Sequence, residues 1–346
     1  MHVILGLADH FEPSINPQNP RIYAPRDVAI RRLRDWLRQY PQAVESLRDA
    51  DGFPFRHTYF FPAEQYDPEQ MEMLASFCHK GWGEVEIHLH HGIDSPDTSE
   101  NTRRTLEEFR DALVRHGCLS RLQESSLPHY AFVHGNWALA NSGRGCCGVD
   151  DEMQILAETG CYADFTLPSA PHPAQTAKIN SMYECALPLS QRAAHRRGRD
   201  LTVDRAPATF PLIMQGPLGL VYRRRDGNRR HFIIENSELA CLNPPSMERM
   251  RFWIQTGIQV QGRPDWVFIE LHCHGMDPRD HEALLGAPLL RLLQDLKDAS
   301  QAGEMRTHFV TAREMVNIAL AACDGHDGDP GKYRDYRFAL IHPPKP

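Results

Sequence analysis

The first half of the chain alternates short apolar runs with amphipathic segments. Apolar runs of strand length lie at residues 2–8, 56–61, 84–90, 130–135 and 162–167. Segments with apolar residues at three- and four-residue spacing lie between them, at residues 27–48, 68–77, 102–116 and 150–159. Because parallel strands need a long crossover between them, usually a helix, this order predicts an α/β fold with a parallel sheet or barrel.

The alternation breaks after residue 167 and resumes near residue 246. Residues 168–230 are rich in Pro, Gly and basic side chains and contain short strand-like runs, which indicate a β-rich insertion. Helical and strand patterns then alternate again at 246–255, 266–274, 281–299, 307–311 and 312–322. We predict one domain over residues 1–325, with the insertion at about 168–230 and a surface tail at 326–346.

The strand predicted at residues 84–90 carries a high density of acids and imidazoles. Side chains alternate across a strand, so Glu86, His88 and His90 share one face while the apolar residues face the other way. Two imidazoles two residues apart on one strand face can bind a single metal ion. His91 is the alternative second ligand, because a bend at the strand end would bring it round in place of His90.

Two further strands end in the same kind of side chain. The strand at 266–274 places Glu270, His272 and His274 on one face, and the first strand runs into Asp9-His10-Phe11-Glu12. Functional groups of parallel α/β proteins lie where strands end and loops begin. The three strand ends therefore indicate an enzyme site, in which Glu12 either binds metal or caps its loop.

Composition narrows the class of protein. The formal net charge of −7 gives no support for a nucleic-acid partner. No run approaches the roughly 18 apolar residues of a membrane span. The first residues also lack the basic region and apolar stretch of a signal peptide. We therefore expect a cytoplasmic protein without a membrane span, of undetermined oligomeric state.

Five short motifs occur in an order that resembles one known family. They are Leu7-Ala-Asp-His10, Thr58-Tyr-Phe-Phe61, Glu84-Val-Glu-Ile-His88, Ile269-Glu-Leu-His272 and Phe309-Val-Thr-Ala-Arg-Glu314. Their order and spacing resemble those of the NodB-like polysaccharide deacetylases, carbohydrate esterase family four. The resemblance spans roughly residues 2–320, apart from the insertion. It implies a distorted (β/α)7 barrel of NodB-like type with a β-rich insertion.

The resemblance also implies a set of metal-binding and catalytic residues. Asp9, His10 and His88, with His90 or His91, would bind a divalent ion, for which zinc is expected and cobalt, nickel and manganese are alternatives. Asp9 would also act as the general base that activates water. His272 or His274 would protonate the leaving group. The predicted reaction is removal of an acetyl group from an N-acetylated or O-acetylated sugar or polysaccharide.

Departures from the family pattern leave other readings open. His10 stands where the family has a metal-binding Asp, and His134-Gly-Asn-Trp137 replaces its arginine motif. We expect Asn136, Trp137 and Asp164 to contact the carbohydrate. The alternatives are a glycoside hydrolase on a related seven-stranded barrel, which needs paired carboxylates, and a non-catalytic barrel that binds polysaccharide. Metal dependence of activity distinguishes the deacetylase from the glycoside hydrolase, and sugar binding without turnover would indicate the non-catalytic barrel.

Overall fold

A computed structural model describes residues 1–19, 22–92, 95–122, 125–143, 147–224 and 230–342. The strands are β1 His2–His10, β2 His57–Pro62, β3 Gly83–Leu89, β4 Ser120–Leu122, β5 Pro128–His134, β6 Cys161–Asp164, β7 Met182–Cys185, β8 Gly198–Asp200, β9 Leu212–Met214, β10 Gly219–Arg224, β11 Arg230–Glu235, β12 Glu238–Leu239, β13 Trp266–Cys273, β14 Arg306–Val310 and β15 Phe338–Leu340. The α-helices are α1 Arg26–Val44, α2 Pro68–Phe77, α3 Ser99–Arg115, α4 Glu152–Thr159, α5 Met247–Thr256, α6 His281–Leu285, α7 Ala287–Gln301 and α8 Ala312–Cys323.

One large, mostly parallel sheet organises the molecule. Its strand order is β12-β13-β1-β2-β3-β5-β6-β9-β7-β8, and β14 pairs with the first half of β1. In this order, the strands from β12 to β9 are parallel to one another. Strand β7 runs antiparallel to both of its neighbours, β9 and β8. The predicted α/β fold with a parallel sheet is thus confirmed. The pairings among the described residues do not show the sheet closing into a barrel.

Both faces of the sheet are buried, which explains why its strands are nearly continuous apolar runs. In β1, Leu5 and Leu7 contribute to a core with helices α1, α2, α3 and α7, whereas Ile4 and Ala8 contribute to a second core on the other face. Helix α8 lies against this second core and is buried at every position. The alternation of side chains in β1 therefore assigns each residue to one of two layers.

Some elements differ from the predicted ones. The helix predicted at 281–299 is two helices, α6 and α7, separated at Gly286. Pro288 lies in the first turn of α7, where the N–H that proline lacks has no partner within the helix. In the middle of one continuous helix, the same proline would remove a hydrogen bond and break the helix. In the predicted insertion, β9 joins the main sheet in parallel with β6, while β10 and β11 form a separate hairpin.

The segment after residue 325 is partly packed into the molecule instead of lying wholly on its surface. Arg334 is buried and contacts Asp49, Asp51 and Glu314. Phe338 is also buried, in strand β15, which pairs with β4. Part of this segment therefore packs against the rest of the chain through buried ion pairs and a strand pairing.

No helix within the described ranges is both long enough and apolar enough to span a lipid bilayer.

Candidate metal centre

The carboxyl ends of β1 and β3 bring together one carboxylate and two imidazoles. Nε2 of His88 lies 3.2 Å from Oε1 of Glu12, and Nε2 of His90 lies 3.2 Å from the same oxygen. His88 is fully buried, whereas the side chains of His90 and Glu12 keep 21% and 12% of their surface exposed. The group is therefore held by the sheet and remains reachable from solvent.

The other nitrogen of each imidazole is occupied by a hydrogen-bond acceptor. Nδ1 of His88 donates to the carbonyl of Val133 at 3.1 Å, and Nδ1 of His90 donates to Oε1 of Glu64 at 2.6 Å. A neutral imidazole with its proton on Nδ1 keeps its lone pair on Nε2. If an ion replaced the Nε2 proton of each ring, the Nδ1 proton would stay in place and the Nε2 lone pair would point to the side where Glu12 lies, which is the orientation that metal ligation requires.

The spacing of the three groups fits a small divalent ion. Nitrogen and oxygen ligands about 2.0–2.2 Å from a tetrahedral zinc ion lie roughly 3.3 Å from one another. The two contacts of 3.2 Å to Glu12 match that separation. Side chains able to hold a divalent ion are therefore present, as the sequence predicted, and the identity of the ion stays a prediction.

Electrostatics favour a charged carboxylate at this position. Burial raises the pKa of Glu12, but hydrogen bonds from His88 and His90 outweigh it and hold the pKa well below the usual value. Burial lowers the pKa of His90, yet Glu12 and Glu64 outweigh that effect and raise it to about 10. The pKa of His88 is lowered, chiefly by burial. A cation is thus favoured beside Glu12, either as a proton on His90 or as a metal ion.

Further aromatic side chains line one flank of this group. The ring of His10 lies 5.1 Å from that of His88, 4.9 Å from His274 and 5.9 Å from His272, measured between centroids. Trp137 packs on His10 at 5.1 Å and on His272 at 5.4 Å. Nε2 of His10 is buried without a hydrogen-bond partner among the described residues. His10 therefore lies beside the three converging groups with a nitrogen available.

Burial and the neighbouring imidazoles keep several of these rings neutral. Burial, with His274 and His88, holds the pKa of His10 well below its usual value. Burial and His274 lower the pKa of His272 to about 3. Both residues are consequently uncharged near neutral pH.

Asp9 does not join this group, contrary to the predicted ligand set. Consecutive strand residues point to opposite faces, so Asp9 faces the helix layer while His10 faces the second core. Its Oδ1 accepts the backbone N–H of Gly275 at 2.6 Å, and its Oδ2 contacts Nδ1 of His57 at 2.8 Å. Asp9 is fully buried there, and its hydrogen bonds anchor the loop after β13.

His91 also lies apart from His88 and His90, in a second buried cluster with His134 and Glu152. Nε2 of His91 contacts Oε1 of Glu152 at 2.7 Å, and its Nδ1 contacts Oδ2 of Asp97 at 2.8 Å. Burial lowers the pKa of His91, but Glu152 and Asp97 outweigh it and raise the pKa to about 9. The second histidine of the first group is thus His90.

The imidazole of His134 is oriented differently from those of the first group. Its Nδ1 accepts the backbone N–H of Asn136 at 3.1 Å. The proton of the neutral ring therefore lies on Nε2, which is 3.6 Å from Oε1 of Glu152. Burial lowers the pKa of His134 to about 3. The ring has no lone pair to offer an ion between itself and Glu152.

The predicted carbohydrate contacts fall in different places. Trp137 lies at the candidate centre, whereas the side chain of Asn136 donates to the carbonyl of His91 at 2.7 Å, beside the second cluster. Asp164 is fully buried and accepts hydrogen bonds from the backbone and hydroxyl of Thr166. Burial raises its pKa to about 7. Of the three residues, Trp137 is therefore the one beside the converging groups.

Glu64 is a residue of the candidate site that the sequence did not predict. It lies on the short turn Ala63–Gln65 directly after β2, so it reaches the same sheet edge as the ends of β1 and β3. The rule that strand ends carry the chemistry could have identified it, because it comes two residues after Pro62. In the sequence, Glu64 has no histidine near it, unlike the acids at the ends of the other strands.

No protein-family model matches this chain, and no curated protein is significantly similar to it.

Proposed function

We propose that this chain is a metal-dependent hydrolase that removes an acetyl group from an acetylated sugar or polysaccharide. The observation that carries the proposal is the convergence of His88 Nε2 and His90 Nε2 on Glu12 Oε1, each at 3.2 Å. The order of the NodB-like motifs supports this substrate class and a distorted (β/α)7 barrel with a β-rich insertion. The proposed ligands are Glu12, His88 and His90.

A zinc ion, or another divalent ion, held by these residues would supply Lewis acidity that polarises an acyl carbonyl and acidifies water. Val133 and Glu64 hold the two rings in the required tautomer and orientation. Glu12 brings the negative charge that retains a cation at a site reachable by solvent. The protein's part is thus to fix ligand geometry on one rigid sheet edge.

His10 takes the role of proton acceptor that the family resemblance assigned to Asp9. Its ring is neutral, adjoins His88 and leaves Nε2 without a partner. The carboxylate of Asp9 is already committed to Gly275 and His57 on the other face of β1. An imidazole within reach of the reacting water accelerates proton transfer, and the lowered pKa makes His10 a weak base for this step.

The other side chains beside His10 are candidates for protonating the leaving group and for contacting the sugar ring. His272 is buried and neutral with a pKa near 3, so it is a poor proton donor. His274 is half-buried and 4.9 Å from the ring of His10, which makes it the better candidate donor to a leaving amine or alcohol. Trp137 is also half-buried, and its indole offers an apolar face for a sugar ring.

Metal analysis and acetate release test the proposal together. The metal-stripped protein, reconstituted with zinc, cobalt or nickel, is assayed on acetylated amino-sugar oligomers and on an O-acetylated sugar. We expect about one ion per chain and acetate release that requires it. Failure to bind any of these ions would disprove the metal centre. Metal binding and carbohydrate binding without acetate release would indicate a non-catalytic carbohydrate-binding protein.

A further inference from the structure

The hairpin formed by β10 and β11 exposes a continuous apolar face. Leu220 pairs across the hairpin with Ile234, and Tyr222 pairs with Phe232. Their exposed fractions are 66%, 42%, 56% and 72% respectively. The rings of Tyr222 and Phe232 lie 5.0 Å apart. Single exposed apolar residues are common, but four on one face of a two-stranded sheet indicate an interaction surface.

The opposite side of the hairpin is anchored to the domain. Glu235, at the end of β11, is buried and paired with Arg249 of α5 at 2.7 Å and with Arg223 at 3.2 Å. The backbone at Gly219 lies so close to the ring of Phe252 that a side chain there would clash. An isolated hairpin is marginally stable in water, so these contacts fix its orientation and leave the apolar face directed outwards.

Arginine is frequent in the part of the sequence that continues the same two strands. Arg224 and Arg230 are cross-strand partners and follow the Tyr222 and Phe232 row. In the sequence, residues 223–231 contain five arginines and one aspartate, although the whole chain has a net charge of −7. The two strands thus progress from an aliphatic row through an aromatic row to the cross-strand positions of Arg224 and Arg230.

We propose that this hairpin face docks on an anionic lipid surface. The apolar and aromatic rows would sink to the level of the headgroups and upper acyl chains, and the arginines would meet the lipid phosphates. The apolar side chains match the acyl chains of such a surface, and the arginines match its phosphates. A polysaccharide or nucleic acid would satisfy the arginines but would leave Leu220 and Ile234 without an apolar partner.

A second copy of the chain is a poorer match for the same face. Among the described residues of the two strands, Glu235 is the single acid, and it is already paired with Arg249 and Arg223. Within these two strands, two hairpins packed face to face would therefore bring Arg230 to no unpaired carboxylate. Charge complementarity favours the lipid surface.

The hairpin emerges from the sheet edge that carries the candidate metal centre. Strand β9, which precedes it, runs parallel to β6, and β12, which follows it, runs parallel to β13 at His272. Both connections therefore lie at the carboxyl ends of the strands, as do His88 and Glu12. Docking would hold that edge near the lipid surface, and it does not depend on the proposed hydrolase activity.

Vesicle sedimentation tests the proposal directly. The full chain is mixed with vesicles of phosphatidylcholine alone, or of phosphatidylcholine with phosphatidylglycerol, and the bound fraction is measured at rising NaCl concentration. We expect binding to the anionic vesicles that weakens with salt, and little binding to the neutral ones. Absence of binding to the anionic vesicles would overturn the proposal.

Variants show whether vesicle binding depends on the hairpin or on other parts of the surface. We expect the double variant Leu220→Ser, Phe232→Ser to reduce vesicle affinity at least tenfold, and Arg230→Glu to reduce it about fivefold or more. Leu187→Ser is the matched control, because Leu187 is 72% exposed outside the hairpin, and its affinity should stay at the wild-type value. Equal weakening in the control would overturn the proposal, as would a dimer in sedimentation velocity that the double variant abolishes.

Discussion

Two clusters at the same edge of the sheet contain the same residue types and differ in what they can do. Glu12, His88 and His90 form one cluster, and Glu152, His91 and His134 form the other. His88 and His134 even lie on neighbouring strands, where Leu89 is the register partner of His134. Each cluster thus contains one glutamate and two histidines whose ligand atoms lie close together. The difference lies in the partner of the second imidazole nitrogen.

In the first cluster both rings donate from Nδ1 to an oxygen, so each Nε2 would present a lone pair to an ion that displaces its proton. In the second cluster the backbone N–H of Asn136 points at Nδ1 of His134, which fixes the proton on Nε2. The second cluster is also closed, because Glu152 and His134 have no exposed side-chain surface. Hydrogen bonds outside the cluster therefore decide whether two imidazoles and a carboxylate form a metal site or a structural network.

The largest expected effect comes from a matched pair of substitutions, His88→Asn and His134→Asn. Asn keeps a group near the Nδ1 position in each case and removes Nε2, and both histidines are fully buried. We expect His88→Asn to weaken metal binding by more than the 10–100-fold typical of losing an outer hydrogen bond. His134→Asn should retain about one ion per chain. Elemental analysis and metal titration measure both. Metal loss in His134→Asn alone would reverse the assignment of the two clusters.

His10→Gln tests whether His10 is the proton acceptor beside the first cluster. We expect kcat for acetate release to fall by about 10²–10⁴, because a general base contributes a factor of that size. Metal content should stay at the wild-type value, since the three proposed ligands are unchanged. If the variant instead lost its metal, His10 would be a ligand, as the family resemblance implied.

The next effect concerns stability and belongs to the second cluster. Burial raises the pKa of Glu152, but the facing imidazoles of His134 and His91 outweigh it and leave the pKa lowered from 4.5. A carboxylate of this kind stabilises the fold above its unfolded-state pKa, and the contribution is lost as the pH falls through the folded-state value.

Glu152→Gln should therefore cost about 3–5 kcal/mol at neutral pH, because it leaves the charge on buried His91 without one of its two partners. The difference from wild type should shrink below about pH 4.5. Denaturant unfolding across pH measures this, with metal content as the control. An equal loss of stability at every pH would show that Glu152 acts through packing and not through its charge.

Strand periodicity predicted much of this arrangement from the sequence. It assigned His88 and His90 to one face, because a side chain's direction follows from a period of two. The parallel order of the strands placed the three strand ends at one edge. The same rule separates Asp9 from His10, and the expectation that they bind one ion arose from the family motif instead. The rule thus predicts this part of the site better than the resemblance does.

Other parts of the site depend on contacts between distant residues. The proton position on His134 depends on the turn that brings the N–H of Asn136 to it, and no side-chain pattern reports that turn. Glu64 reaches His90 because β2 pairs with β3, with Pro62 beside His88. Sequence spacing alone does not state which strands are neighbours, so such partners follow only from the assembled sheet.

Glu64→Gln is expected to weaken metal binding less than His88→Asn does, and it tests the role of the hydrogen bond behind one ligand. Gln can still accept the Nδ1 proton of His90 through its amide oxygen, so the ring should keep its orientation while losing the negative charge behind it. We expect metal affinity to fall by about 10–100-fold, with full occupancy restored at high metal concentration. Asp97→Asn is the matched control, because Asp97 bears the same relation to His91 in the second cluster, and it should leave metal affinity unchanged. Equal affinity losses in both variants would mean that the general negative charge of this edge retains the ion, and not the tautomer that Glu64 selects.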